Sequence, residues 1–360
     1  MNSTTGLYVM HTPIHGTPTT WTVGSRTFTE VLSGAVYYDT RPLVSAVHKP
    51  FSFDEADIAQ AEQLVQVIDD DKQQWVVQAI PEGTLLRVYW CRELARWCTS
   101  TTGCTNAYKS YWGADQSFGT IFNMCLGKFY ARGLLTLYQQ LDKRAVYYFW
   151  LETTRENRIV SKRTDPLGIS YVTFLGTMPL QSVNKADFVF AHDTPTILPE
   201  FKRLAQINFD SFETLATEAA ATPVAIQLIH KTRGVIIKIV NALYGRQAAI
   251  RGNDPHLFHR YLELTMHNRV DDRAEFDKLY SEHALTFALR YYRFLRFCSV
   301  VKIDALVSQV LGIDMTDNTT IHELVTFMKR YAPVDIRTDL TIICNYVLAY
   351  TKWQDLESFF

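Results

Sequence analysis

Cysteine, histidine and aromatic side chains are the groups in this chain whose spacing could do chemistry, and each set admits two readings. The six cysteines, Cys91, Cys98, Cys104, Cys125, Cys298 and Cys344, contain no Cys-x-x-Cys knuckle. Cys91, Cys98 and Cys104 could offer thiolates to zinc, but they stand further apart than the pairs that usually grip one, so core thiols are the simpler reading. His256 and His259 lie three apart on an expected helix and so share a face. That geometry suits a shared metal or two surface imidazoles. With no Cys or carboxylate partner apparent in the sequence, no metal site is expected. Trp90, Trp97, Tyr108, Tyr111 and Trp112 crowd one short stretch. Such rings can stack nucleobases, or they can fill a core or an interface.

Around these groups the composition is ordinary. Of 360 residues 47% are hydrophobic, enough for one large domain plus a smaller one, or two comparable ones. The 36 Lys and Arg nearly balance the 37 Asp and Glu. No overall basic field therefore draws the protein onto phosphate backbones, and any nucleic-acid contact has to be local. The cysteines are too sparse for a disulfide framework and read as free thiols, mostly buried. The opening MNSTTGLYVMHTPIHG has neither the basic start nor the apolar core of a secretory signal, and no later run reaches the length of a membrane span. The expectation is a protein of the cytosol or nucleus, with no membrane partner.

The elements that must position a site follow from periodicity. In the first fifty residues TWTV, EVLSGAVYY and PLVSAVH predict strands and hairpins. Asp54 is expected to open a helix with an acidic first turn, because Ile58, Ala61, Leu64, Val65 and Ile68 recur at three- and four-residue steps. WVVQAI, then TLLRVYW after a Pro-Glu-Gly break, then WCTSTT predict a β meander. Ser117 predicts a cap for a helix through FGTIFNMCL, and a second helix follows near GLLTLYQQL. VYYFWLE and RIVSKR predict strands on either side of a turn at Arg155 to Asn157, and YVTFLGTM and FVF continue the β content. Asp193 to Ala221 turns helical and partly polar, before PVAIQLIH and GVIIKIV form adjacent strands around a His-Lys-Thr-Arg-Gly turn. From Asn253 onward the pattern is helical, with Asp254 and Pro255 as cap and first-turn proline and further helices over roughly 273–298, 303–311, 319–331 and 338–357. A shift in composition sets a boundary near residue 252, giving domains 1–252 and 253–360.

Four segments then stand in a suggestive order. Pro81-Glu82-Gly83-Thr84-Leu85-Leu86-Arg87-Val88-Tyr89 is followed by the Thr99 to Trp112 stretch and by Ser117-Phe118-Gly119 leading to Phe122. Tyr148 leads to Arg155-Glu156-Asn157-Arg158-Ile159-Val160. Val224-Ala225-Ile226-Gln227-Leu228-Ile229 precedes Val235-Ile236-Ile237-Lys238-Ile239-Val240 and Tyr244. Arg251-Gly252-Asn253-Asp254-Pro255 precedes Arg260-Tyr261. Each alone is made of strand, turn and cap residues that any α+β domain uses. Together they resemble the phage-type RNA ligases and the related proteins of large DNA viruses: the nucleophile loop and hairpin, the strand with its Asn-Arg turn, the last two strands of the nucleotide pocket, and the entry to the helical tail.

That resemblance implies an α+β fold, with the antiparallel-sheet nucleotidyltransferase core of the ATP-grasp-like RNA and DNA ligases and a helical C-terminal domain. It also implies a reaction in which a lysine amine attacks the α-phosphate of ATP and passes AMP to an RNA 5′ phosphate, with ATP and Mg2+ as cofactors if the protein is active. In the family the lysine stands three residues before the Gly of Lys-x-Asp/Glu-Gly. Here that position is Ile80, and a hydrocarbon cannot attack phosphorus. Lys72 and Lys109 are the nearest lysines in sequence, and Lys109, otherwise a solvated loop lysine, is the rescue candidate. By the same resemblance the glutamate before the Asn-Arg turn falls at Leu151, with Glu152 one place off and on the opposite face. The Glu-Gly of the penultimate strand falls at Val224 and Ala225, and the second lysine of the last strand at Val240, while Lys238 remains.

Glu82, Arg87, Asn157, Arg158 and Lys238 are the groups left to bind nucleotide or phosphate. Arg158 could fork onto phosphate and Lys238 meet it as a point charge, or the two could serve as a surface ion pair and an edge-strand lysine. The expected function is that of an RNA-ligase-like pseudoenzyme retained to bind RNA, nucleotide or a protein partner, in the host cytoplasm or virion of a large DNA virus. Two alternatives stand beside it: an active nucleotidyltransferase with a relocated lysine, and a viral structural or assembly protein.

Overall fold

Runs of β-branched and aromatic residues become strands as far as Val240 in the computed structural model, which describes residues 7–10, 20–29, 32–33, 35–39, 41–54, 57–112, 116–152, 171–182, 184–254, 256–295 and 298. In chain order the strands are β1 (Leu7–Met10), β2 (Thr20–Val23), β3 (Arg26–Thr29), β4 (Leu32–Ser33), β5 (Ala35–Tyr38), β6 (Arg41–Val44), β7 (Val47–His48), β8 (Phe51–Phe53), β9 (Trp75–Ile80), β10 (Thr84–Cys91), β11 (Arg96–Thr101), β12 (Ala145–Glu152), β13 (Tyr171–Pro179), β14 (Val189–Phe190), β15 (Ala225–His230) and β16 (Ile236–Val240). The helices are α1 (Ile58–Ile68), α2 (Phe118–Leu126), α3 (Leu134–Gln140), α4 (Phe212–Ala221), α5 (Ala242–Arg251), α6 (Leu257–Met266) and α7 (Val270–Leu279). The chain divides into two compact units, residues 1–248 and 249–360.

The first unit is the mixed α+β structure that the sequence predicts. A five-stranded antiparallel sheet runs β11-β10-β12-β13-β14, and a four-stranded sheet runs β8-β16-β15-β9. In the second sheet β16 pairs parallel with β8, while β15 pairs antiparallel with both β16 and β9. One face of the first sheet, with Leu86, Val88, Tyr147, Phe149 and Leu151, packs on α2 and α3. One face of the second, with Val77, Ile226, Leu228, Ile237 and Ile239, packs on α1 and α4. Alternation leaves each sheet a second face, and these faces build the site.

The predicted meander does not form. β9 joins the second sheet while β10 and β11 make a hairpin in the first. Pro81 has no N–H to continue a ladder. At Gly83 the chain passes so close to β12 that a Cβ would stand 2.5 Å from both the Leu151 carbonyl oxygen and the Trp150 indole nitrogen. Pro-Glu-Gly is thus the crossing from one sheet to the other.

Other boundaries shift for local reasons. α1 starts at Ile58 with Asp57 at its cap and no acid inside its first turn; the Asp54 carboxylate accepts the Asp57 N–H at 3.1 Å ahead of the helix. Ser117 caps α2 as expected, accepting the Thr120 N–H at 3.1 Å. Of the stretch from Asp193 to Ala221 only Phe212–Ala221 is helical, since Pro195 and Pro199 interrupt what precedes it. α5 was not anticipated; Asn241 starts it by accepting the Tyr244 N–H at 3.0 Å.

In the second unit, the expected helix over 273–298 is broken: α7 ends at Leu279, a 3₁₀ turn follows at Ser281–His283, and a helix resumes over 284–295. The Asp254 carboxylate accepts the His256 N–H at 2.7 Å ahead of α6. The helices expected over 303–311, 319–331 and 338–357, the strand RIVSKR, the turn at Arg155 to Asn157, Pro255 and Cys344 lie outside the described residues.

Candidate functional site

Between the two sheets lies a cavity of about 440 Å³. Its floor comes from the second sheet, and register fixes which residues stand side by side. Gln78 of β9, Gln227 of β15 and Lys238 of β16 are consecutive cross-strand partners, forming one polar row. Two residues along each strand, Ile80, Ala225 and Val240 form the next row, which is wholly aliphatic. The opposite wall is aromatic, with Tyr148 and Trp150 from β12 and Phe188 and Phe190 beside them.

Two members of the polar row are buried, and the third, Lys238, is half-buried. Gln78 is 5% exposed and Gln227 8% exposed. Among the described residues neither carboxamide makes a hydrogen bond, although each carries two donors and an acceptor. Neither carboxamide is among the polar atoms shut off from solvent without a partner, so both open onto the cavity. Burial lowers the Lys238 pKa from its ordinary 10.5, and the charge of Glu82 opposes that shift. The Lys238 ammonium lies 6.0 Å from the centre of the Tyr244 ring.

The aliphatic row is packed, with Ile80 at the edge of the cavity. Ile80, 8% exposed, packs with Val224, Ala225 and Tyr244, and Trp150 and Val240 lie against the same cluster. The Trp150 indole donates to the Pro81 carbonyl at 3.1 Å, tying the crossing to β12.

At the far end of β15, His230 lines the cavity but has both ring nitrogens engaged. Nδ1 accepts the backbone N–H of Arg233 at 3.2 Å and of Thr232 at 3.3 Å, so the proton sits on Nε2, 3.0 Å from the Asp69 carboxylate. That hydrogen bond, foremost, holds the Asp69 carboxyl below its usual range. Two further amines line the cavity. Lys185 donates to the Ser45 hydroxyl at 2.5 Å and to the Ala46 carbonyl, and Lys231 donates to the Gln73 carbonyl at 2.6 Å.

Of the residues singled out from sequence, Ile80 and Lys238 line this cavity, and Glu82 lies buried beside it. Arg87 does not reach it: the side chain is fully buried within the first sheet and donates to the Thr101 carbonyl. Burial lowers its pKa and raises that of the neighbouring Tyr148 to about 12. Lys109 is exposed on a 3₁₀ turn and is not among the lining residues, so it is not the amine beside Ile80. Asn157 and Arg158 lie outside the described residues.

Leu151, where the resemblance puts the family glutamate, lies away from the cavity. Leu151 faces α2 and α3 with Tyr147 and Phe149, whereas Glu152 falls on the same side of β12 as Tyr148 and Trp150. The aromatic run also serves elsewhere: Trp90 packs edge-on against Trp97 at 5.7 Å, Trp97 stacks on Tyr138 at 5.5 Å, and none of the five lines the cavity. Cys91, Cys98, Cys125 and Cys298 are buried free thiols and Cys104 is half-buried. His259 does have a carboxylate partner, Asp254, but no group of three metal-ligating side chains occurs among the described residues.

Sequence reasoning missed Gln78 and Gln227, although each is a lone amide inside an apolar strand, WVVQAI and AIQLIH, where an unpaired polar group is costly. Lys185 and Lys231 carried no such signal, being loop lysines.

No family model matches the sequence. The chain is 25% identical over 247 residues to "Immediate-early protein ICP-46 homolog" of Invertebrate iridescent virus 3, covering 69% of this chain and 53% of that protein, so it spans about half the length of the curated relative it matches. Among solved structures it is similar to an archaeal ATP-dependent RNA ligase, with TM-score 0.37, 10% identity, and 71% of this chain against 65% of that one. It is also similar to a putative ATP-dependent DNA ligase from Aquifex aeolicus, with TM-score 0.37, 7% identity, and 76% against 68%. A Naegleria gruberi RNA ligase mutant with ATP and Mn gives TM-score 0.34 at 8% identity, covering 50% of this chain and 54% of that one. Likenesses this low carry no functional argument, which has to come from the cavity itself.

Proposed function

We propose that this chain is an RNA-ligase-like protein that binds a nucleotide, free or at an RNA end, in the cavity between its two sheets and does not form a covalent adenylate there. Its ligase-like domain is residues 1–252 and its helical domain residues 253–360. The observation that carries the reading is the pair of buried carboxamides, Gln78 and Gln227, which face an aromatic wall with an ammonium in the same row. A carboxamide offers a donor and an acceptor side by side, which matches the edge of a nucleobase. Tyr148 and Trp150 offer faces for stacking. Lys238 supplies the charge for phosphate. The position where the family holds its nucleophile is instead the packed side chain of Ile80. The relative from an iridescent virus supports a setting inside an infected cell.

Incubation with labelled ATP and a divalent metal, followed by a denaturing gel, is expected to leave the protein unlabelled, while equilibrium titration of ATP shows saturable binding. A labelled band would overturn the loss of covalent chemistry, and its disappearance in Lys238→Met would move the nucleophile there. Failure to bind ATP or a 5′-phosphorylated RNA would remove the nucleotide reading.

A further inference from the structure

The aromatic run that starts at Trp90 takes no part in the cavity, so its rings need another account. On the face of the first sheet that packs on α2 and α3, Leu86 and Val88 of β10 are fully buried. Trp90, two residues beyond Val88, and its register partner Trp97 on β11 are only half-buried. Trp97 stacks on the half-buried Tyr138 of α3, with the planes 12° from parallel, and meets Trp90 edge-on. The Lys143 ammonium sits over the Trp90 ring, 3.8 Å from its centre. Lys143 is exposed, so this face of the indole is covered by a flexible side chain that can swing off it. An exposed cation–π contact favours its bound form by about two- to fivefold. A base stacked on an aromatic ring gains about fivefold to a hundredfold. A base therefore displaces the lysine, and the freed ammonium is close at hand for the phosphate that the base brings.

Charge beside the rings points to the same kind of ligand. In the turn between β10 and β11 and the turn ahead of β12 the exposed charged residues are Arg92, Glu93, Arg96, Asp142, Lys143 and Arg144. Arg144 and Asp142 offset each other in an ion pair at 2.8 Å. The remainder is an excess of positive charge, in a chain whose 36 Lys and Arg are matched by 37 Asp and Glu. With no basic field overall, a nucleic-acid contact has to be a local patch of this sort. Rings that take bases face-on need those bases unpaired, which selects a single strand over a duplex.

We propose that Trp90, Trp97 and Tyr138 form a platform on which bases of a single-stranded nucleic acid stack, with Lys143 and Arg92 meeting its phosphates. None of these residues lines the cavity, and the inference stands apart from the nucleotide reading given under Proposed function.

The test is fluorescence anisotropy of end-labelled oligouridylate and oligothymidylate, each about twelve nucleotides long, titrated with the full chain at low salt. Saturable binding is expected to one strand or both, weakening as salt is raised. A preference for either strand supports the platform and tells which sugar it takes. Trp90→Ala should weaken binding about tenfold, with Trp90→Phe retaining most of it. The double change Arg92→Glu with Lys143→Glu alters exposed side chains alone and should weaken binding at least about tenfold. The thermal melt of each variant checks that it has folded, and the ATP affinity of each should match the parent's. A parent that binds neither strand overturns the proposal, whatever its affinity for ATP. So do folded variants that bind the strand as tightly as the parent, and so does a loss of strand binding that is matched by an equal loss of ATP binding, since that would place the strand in the cavity.

Discussion

Two neighbouring rows of the same three strands have gone opposite ways. Gln78, Gln227 and Lys238 are polar and turned toward a cavity, the two amides buried and the lysine half-buried; Ile80, Ala225 and Val240, one pleat further along, are aliphatic and packed with Val224, Tyr244 and Trp150. Both rows have the same backbone, the same register and the same opposite wall. Backbone geometry therefore does not account for the difference. The difference lies in the side chains alone: one row opens onto the cavity through amides and an ammonium, and the next packs as hydrocarbon.

The contrast is broken or sharpened by substitution. Ile80→Lys has the largest expected effect, a loss of about 3 kcal/mol in denaturant unfolding, because the longer charged side chain replaces one packed among Val224, Ala225, Tyr244 and Trp150. No ATP adduct is expected from it, since Val224, Ala225 and Val240 leave the new amine without charged neighbours in that row; an adduct would mean that one side chain alone separates this protein from catalysis. Next comes the double change Gln78→Leu with Gln227→Leu. It should weaken ATP binding by about a hundredfold with little change in stability, because each amide opens onto the cavity and has no protein partner among the described residues. Loss of stability there would show that the amides serve the fold. Gly83→Ala should cost about 2 kcal/mol, since the added methyl meets the Leu151 carbonyl at 2.5 Å, and it tests whether the crossing between sheets needs that close approach.

The smallest effect belongs to a control in the second unit. The hydrogen bond from His259 to Asp254, above all, raises the His259 pKa from 6.5. Burial opposes ionisation of Asp254, but that hydrogen bond and the His256 amide still hold its carboxyl below 3.8. The His259 contribution is full below pH 6.5 and is lost as pH rises through the raised value. The Asp254 contribution is full above pH 3.8 and is lost as pH falls through the lowered one. His259→Ala should therefore cost about 1 kcal/mol near pH 6, less at pH 9, and leave ATP affinity unchanged. A pH-independent loss would mean that the imidazole contributes packing only.

Much of the architecture was legible because strands and helices announce themselves through periods of two and 3.6. WVVQAI, VYYFWLE, AIQLIH and the helix capped by Ser117 stand where the pattern put them. Partners were less legible. The same pattern that correctly read TLLRVYW and WCTSTT as a hairpin also attached WVVQAI to them, and only the Gly83 crossing separates the two sheets. Of the residues named through the resemblance, Ile80 and Lys238 line the cavity, whereas Arg87, expected to bind nucleotide or phosphate, and Lys109, the rescue candidate, do not.

By itself the sequence determined which side chains share a face within each strand, because Cβ atoms alternate whatever the strand packs against. Ile80 goes with Gln78, Lys238 with Val240, and Leu151 apart from Glu152 on that ground alone. Which of the two faces meets the cavity was decided only in three dimensions. Residues 149 apart in the chain, Gln78 and its register partner Gln227, are brought together by packing of whole sheets on their helices. Nothing local carries that register, so the tertiary structure put Leu151 among the helices, Trp150 over Ile80, and Lys185 within reach of the same space.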